Sequence, residues 1–149
     1  MTIHTLEEKF SQTFHTVEHE QNVAQAVALM SARQVSALMV FEKEVPCGIF
    51  TEKDLVRSHI LFPDKPIGEI CIKDVMRTEL VVAKPEDRID DAMAMMIKAR
   101  IRHLPVISGT RVIGIVCLED LVQTHVDILT QELHYLKDYI NDLQDAAHD

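Results

Sequence analysis

Thr51 and Asp54 stand three residues apart in the stretch Gly48-Ile-Phe-Thr51-Glu-Lys-Asp54, where the surrounding pattern marks a strand-to-helix junction. Two chemistries fit that spacing. A carboxylate has two acceptor oxygens and can receive a pair of adjacent hydroxyl hydrogens, and the free backbone N–H groups at a helix start form an anion site. The same pair also reads as a helix N-cap followed by an acidic residue in the first turn, with no ligand involved. Further along, Gly114-Ile-Val-Cys117-Leu-Glu-Asp120 repeats the pattern with Cys117 in the hydroxyl's place. A thiol is a weak cap and a weak hydrogen-bond partner. Sites built on these two segments are therefore unequal, and Thr51 with Asp54 is the more complete half.

Other chemistries find little support. His15 and His19 are spaced i, i+4 around an expected strand end, where that spacing does not converge, and no cysteine or carboxylate cluster joins them, so no metal site is expected. Cys47 and Cys117 fall in or beside apolar strands, the setting of inert thiols. Three cysteines without a C-x-x-C fit reduced thiols in a cytoplasmic protein. With only four glycines there is no Gly-rich phosphate loop, and no Ser/His/Asp arrangement can be placed. The chain is not expected to be an enzyme. A net charge of −9 offers no basic face for nucleic acid. An anionic small ligand remains compatible with it, provided the site lies near the few arginines and lysines. No apolar run reaches the roughly 18 residues of a membrane span, and the N-terminus has no apolar signal core.

The elements that must position these residues come from an internal repeat. Residues 26–56 match residues 92–122 at a constant offset of 66, with Ala26/Ala92, Met30/Met96, Leu38/Leu104, Val40/Val106, Gly48/Gly114 and Asp54/Asp120 among the identical pairs. Val23, Ala26, Val27 and Met30 make an amphipathic helical stripe, as do Ile89, Ala92, Met93 and Met96. Apolar strands follow at Ala37–Phe41 and His103–Ile107, then turn-like stretches at Glu42–Pro46 and Ser108–Arg111. Second strands follow at about Cys47–Thr51 and Val112–Cys117, each running into a helix. A further short strand is expected ahead of each main helix, near His15–Val17 and Leu80–Ala83. The fold class is α/β (α+β), with two β-α-β-β-α units. A unit of about 55 residues has a marginal core; two of them packed with pseudo-two-fold symmetry bury each other's exposed sheet face and create two equivalent clefts.

The run Asp74-Val-Met76, Pro85, Ala92, Met96, His103-Leu-Pro-Val106, Gly114-Ile-Val116 and Asp120-Leu121 resembles a cystathionine-β-synthase (CBS) domain. Copy one is a looser match, with Met39 where Pro105 stands, His19 where Pro85 stands and Glu8–Phe10 where the Asp-Val-Met run stands. The resemblance implies a tandem CBS pair, or Bateman module, with repeats over 8–65 and 66–125. Such pairs bind AMP, ATP or related adenosine compounds, S-adenosylmethionine among them, in the cleft between copies. It further implies that Asp54 takes the ribose hydroxyls with Thr51 near phosphate, and that Asp120 and Cys117 form the weaker counterpart. Arg102 and His103 would face the cleft and meet phosphate. Ser36 and Ala37 occupy the matching positions of copy one. Lys53 and Arg57 read as ordinary helix-surface charges.

Beyond copy two, Val122, Val126, Leu129, Leu133, Leu136, Ile140, Leu143 and Ala147 step alternately by four and three, an a/d heptad seam with no Gly or Pro. The seam from Val122 to Ala147, within a helix over 118–147, is roughly 38 Å long, too long to be covered by one small sensor domain. It could fold back along its own domain or form a coiled coil in a homodimer, where it would carry a signal to an unknown regulated protein. Glu132 at g and Lys137 at the following e suit a parallel pair. A ligand-free dimerisation scaffold is the alternative reading of the whole chain.

Overall fold

The computed structural model describes residues 1–12 and 14–148. Copy one contains β1 (Thr16–Glu18), α2 (Val23–Arg33), β2 (Ala37–Glu42), β3 (Val45–Thr51) and α3 (Glu52–Leu61), preceded by α1 (Glu7–Gln12). Copy two contains α4 (Ile89–Ala99), β4 (His103–Ser108), β5 (Arg111–Cys117) and α5 (Leu118–His148). The mixed α/β class and the long last helix are as the sequence implies. In copy one, β1 lies parallel to β2 and β2 pairs antiparallel with β3; in copy two, β4 pairs antiparallel with β5.

The 66-residue offset extends to backbone detail. A register shift falls between Val40 and Phe41 in copy one and between Val106 and Ile107 in copy two. Helices α2 and α4 both end on a left-handed residue, Gln34 and Arg100. The β2–β3 turn is tighter than the sequence stretch implies: only Lys43 and Glu44 separate the strands, both at positive φ, the geometry that fits a two-residue hairpin to strand twist.

The strand expected near Leu80–Ala83 is reduced to a single parallel bridge between Ala83 and Val106. The cause lies on its neighbour. In copy one the Met39 N–H donates to the His15 carbonyl at 3.0 Å. The corresponding residue in β4 is Pro105, which has no N–H to give. Only the bonds flanking Ala83 remain, its N–H to Pro105 O at 2.9 Å and Ile107 N–H to its own carbonyl at 2.8 Å.

Packing crosses the repeat boundary twice. Ile3, Leu6 and Phe10, ahead of copy one, are buried in the core built on Ile89, Met96, Leu104 and Leu121 of copy two. Ile70, Ile72 and Val75, ahead of copy two's helix, are buried with Val23, Leu38, Val40 and Phe50 of copy one. Each leading segment thus covers the other copy's sheet. A third cluster joins the copies directly, with Ala37, Met39 and Ile49 against Val112 and Ile115. The two sheet faces close on each other there, removing the apolar area that one small unit could not bury alone.

Candidate functional site

A cavity lies between the copies. Copy one supplies Ile49 and Thr51–Asp54, from the end of β3 and the first turn of α3; copy two supplies Arg77, Glu79–Val81, Ile101–His103 and Pro105. Ile49, Leu80, Val81, Ile101 and Pro105 give apolar walls, and Glu52, Asp54 and Glu79 face Lys53, Arg77 and Arg102. Thr51, Asp54, Arg102 and His103 are therefore brought to one cleft. Its volume is about 70 Å³, below the 300–1,000 Å³ usual for a small-molecule site, and a neighbouring hollow of about 550 Å³ shares its Arg77, Glu79, Leu80, Val81 and Ile101 wall.

Asp54 is 4% exposed, a buried carboxylate in a helix's first turn. Its Oδ2 accepts the Thr51 N–H at 2.8 Å and the Thr51 hydroxyl at 3.4 Å, and the Thr51 side chain caps the helix in return. The helix-cap role is thus real, and it uses one oxygen; Oδ1 takes no part in it. Burial raises the Asp54 pKa above the ordinary carboxylate value, opposed by the Thr51 N–H and by Arg57 and Arg77 nearby. A charge kept in such surroundings is a cost to the fold that the cap alone does not require.

Arg102 is exposed and held by Glu119: its Nε donates to Oε1 at 2.9 Å, and Nη2 donates to the same oxygen. The other Glu119 oxygen accepts the Cys117 thiol hydrogen. These two donors hold the Glu119 carboxyl down at about 2. Burial and the carboxylate push the Cys117 thiol up to about 11, which leaves it protonated and a poor nucleophile. His103 Nε2 lies 2.7 Å from the Ser36 hydroxyl, a hydrogen bond between the copies. Burial, then Arg102, lower its pKa below 6.5, so it meets the cleft as a neutral imidazole and the positive charge comes from Lys53, Arg77 and Arg102.

The remaining expected residues lie outside this lining. Ala37 is buried in the core shared by the copies and pairs with Thr51 across the β2–β3 ladder. Cys117 pairs with His103 across β4–β5. Asp120 is half-buried in the first turn of α5, where its carbonyl accepts the Thr124 hydroxyl. Two further residues matter: Arg77, which sequence reasoning passed over, and Lys53, which it read as a helix-surface charge. Arg77 lines the cleft, and its backbone pairs with Ile49 through two 3.0 Å bonds. Lys53 is no ordinary surface charge: its Nζ donates to the Arg100 carbonyl at 3.2 Å, across the cleft mouth. Arg77 follows directly on the Asp74-Val-Met76 run, which was the available signal; Lys53 had none, because its partner is a backbone group set by tertiary packing.

Among the described residues no group of His, Cys, Asp and Glu side chains could hold a metal ion, and no helix is long and apolar enough to cross a membrane.

Comparison with known proteins meets this geometry. The CBS domain family model matches residues 10–60 and again 72–127. A CBS domain-containing protein of Bacillus subtilis, YhcV, is 35% identical over 107 residues, covering 71% of this chain and 74% of that protein. The mitochondrial CBS domain-containing protein CBSX3 of Arabidopsis thaliana is 34% identical over 126 residues, 81% of this chain and 61% of its own length. Among solved structures, a protein with CBS domains from Burkholderia ambifaria superposes with a TM-score of 0.79 at 28% identity, over 85% of this chain and 95% of the other.

Proposed function

This chain belongs to the CBS-domain family, whose members are generally regulatory modules, and we propose that it senses an adenosine-type compound in the Thr51/Asp54 cleft. One observation carries the reading: a buried carboxylate with one oxygen outside its helix cap shares an apolar-walled cleft with Arg77 and Arg102. Asp54 would take the ribose hydroxyls, the apolar walls the adenine, and the arginines the phosphate.

Charge narrows the ligand class. Three carboxylates face three cations in the lining, so the cleft carries no surplus positive charge. That favours a monophosphate such as AMP, or zwitterionic S-adenosylmethionine, over ADP or ATP.

The small volume gives the module its switch. A nucleotide exceeds about 70 Å³, so one that reaches from the neighbouring hollow to Asp54 would push the copies apart and stretch the Lys53–Arg100 and Ser36–His103 bonds that span them. Ligand affinity then differs between closed and open states, which is the requirement for a binding event to move the protein. The motion would leave through α5, which starts beside the cleft at Leu118, toward a regulated protein in the cytoplasm. A ligand-free scaffold is the second reading, favoured by the small volume and the Asp54 cap.

Calorimetric titration separates the two. AMP or S-adenosylmethionine should release heat, and Asp54→Ala should weaken binding roughly tenfold or more while Asp120→Ala changes it less. No heat with any adenosine compound at millimolar concentration would leave the scaffold reading standing.

A further inference from the structure

We propose that the exposed seam of α5 is one half of a parallel, in-register two-stranded coiled coil completed by α5 of a second copy of this chain. The inference is independent of what the cleft binds. Only the start of α5 is anchored: Leu121 is fully buried in copy two's core. From residue 131 to residue 148 every residue is exposed, so α5 does not fold back along its own domain. Val126, Leu129, Leu133, Leu136, Ile140 and Leu143 are each 46–55% exposed and share one stripe. An apolar stripe of this length, left in water on a helix of about 46 Å, is an interaction surface.

Four features select a second copy as the occupant. The spacing is a strict heptad seam, which is self-complementary. Positions a carry Val126, Leu133 and Ile140, while every d position from 129 to 143 is Leu. Two of these three a residues, Val126 and Ile140, are β-branched, and β-branched residues at a with Leu at d favour two parallel strands. Apart from Ile128 and Tyr135 the outward positions are polar, among them His134, Asp138, Asp142 and Asp145, which leaves no second continuous apolar stripe for a larger bundle. Charge fixes the direction. In a parallel pair Glu132 at g faces Lys137 at e of the other helix, twice per dimer. In an antiparallel pair with Val126 opposite Leu143, Glu132 would face Tyr139 and Lys137 would face Thr130, and the ion pairs vanish. A parallel coil places both sensor parts at one end, so each cleft feeds the same rod.

Sedimentation velocity on the full chain at tens of micromolar tests this. The wild type should be a dimer, and Leu133→Glu/Leu136→Glu a monomer with an unchanged sensor part, since those side chains touch no core. Glu132→Lys should weaken the dimer roughly tenfold and Glu132→Lys/Lys137→Glu should restore it. With Cys47, Cys71 and Cys117 changed to Ser, Leu143→Cys should form a disulfide-linked dimer on oxidation. A Val126→Cys chain mixed with a Leu143→Cys chain should give no crossed product. A monomeric or trimeric wild type, a dimer that survives the Leu133/Leu136 change, no rescue by the charge swap, or an abundant 126–143 crosslink would each overturn the proposal.

Discussion

Apart from the leading strand that Pro105 cuts to one bridge, copy one and copy two agree in their buried backbone and part company where side chains meet the cleft. The register shift, the left-handed helix end and the glycine of the second strand recur at the same offset. The polar positions do not. Thr51 with Asp54 forms a buried reciprocal cap, whereas Cys117 turns to Glu119 and Glu119 turns to Arg102. The copies differ again in reach, since α3 stops at Leu61 and the matching helix α5 runs to His148. Close packing fixes the first class of feature, because an error there costs kilocalories in either copy. Nothing of that size constrains a half-exposed polar side chain, so the two clefts are free to differ in chemistry on one scaffold.

The largest contrast to break is the reciprocal packing of the leading segments. A Cβ at Gly48 would meet Met76 Sδ at 2.7 Å and Arg77 O at 2.8 Å; one at Gly114 would meet the Phe10 ring, with Phe10 O at 2.6 Å and its carbonyl carbon at 2.9 Å. At Gly48 the Met76 thioether can swing aside and only the Arg77 carbonyl must shift, whereas at Gly114 the ring and two backbone atoms of one packed residue are all in the way. Gly114→Ala should cost about 2–3 kcal/mol and Gly48→Ala about 1–2 kcal/mol. Urea unfolding measures both, and equal losses would mean that the N-terminal helix does not hold copy two as tightly as its contacts indicate.

Much of this was legible in advance, and the boundary is physical. The repeat, the strand pairs and the α5 seam follow from local periodicity. Even the truncated strand at Ala83 was readable from Pro105, which removes an N–H its neighbour needs. The exchange of Ile3, Leu6 and Phe10 onto copy two was not, because a short apolar segment carries no mark of which sheet it will cover. Matching Glu8–Phe10 to the Asp74-Val-Met76 run was the nearest hint. At the site, the motif revealed that Asp54 could cap or bind. Only its burial shows that it carries a cost beyond capping, and only tertiary geometry pairs Arg102 with Glu119 and Lys53 with a carbonyl.

Asp54→Asn sharpens the first half-site. Asparagine keeps an acceptor for the Thr51 N–H and removes the buried charge. Because burial raises the folded-state pKa, ionisation of Asp54 costs stability above that pKa, and the penalty disappears as pH falls below the unfolded value. The variant should therefore keep or raise Tm at pH 7, with any gain shrinking on acidification, while adenosine-ligand affinity drops roughly tenfold. A variant that loses stability yet binds as well as the parent would reduce Asp54 to a cap.

Glu119→Gln tests the other copy with a smaller effect and two independent readouts. Burial first, then the hydrogen bond to Glu119 and its charge, raise the Cys117 pKa to about 11. At pH 8 roughly one thiol in a thousand is then ionised. Removing the carboxylate should lower that pKa and speed alkylation of Cys117 severalfold, which mass spectrometry can localise. The same change releases Arg102 from an ionic partner. Both side chains of that pair are more than half exposed, so the contact contributes at most about 1 kcal/mol, and AMP affinity should rise no more than roughly fivefold. Adenosine, which has no phosphate for Arg102 to meet, should bind unchanged. Tighter AMP with unchanged adenosine places Arg102 at the phosphate and makes Glu119 its competitor. Faster alkylation with no change in AMP affinity keeps the Cys117–Glu119–Arg102 chain as local structure and moves the phosphate role to Arg77.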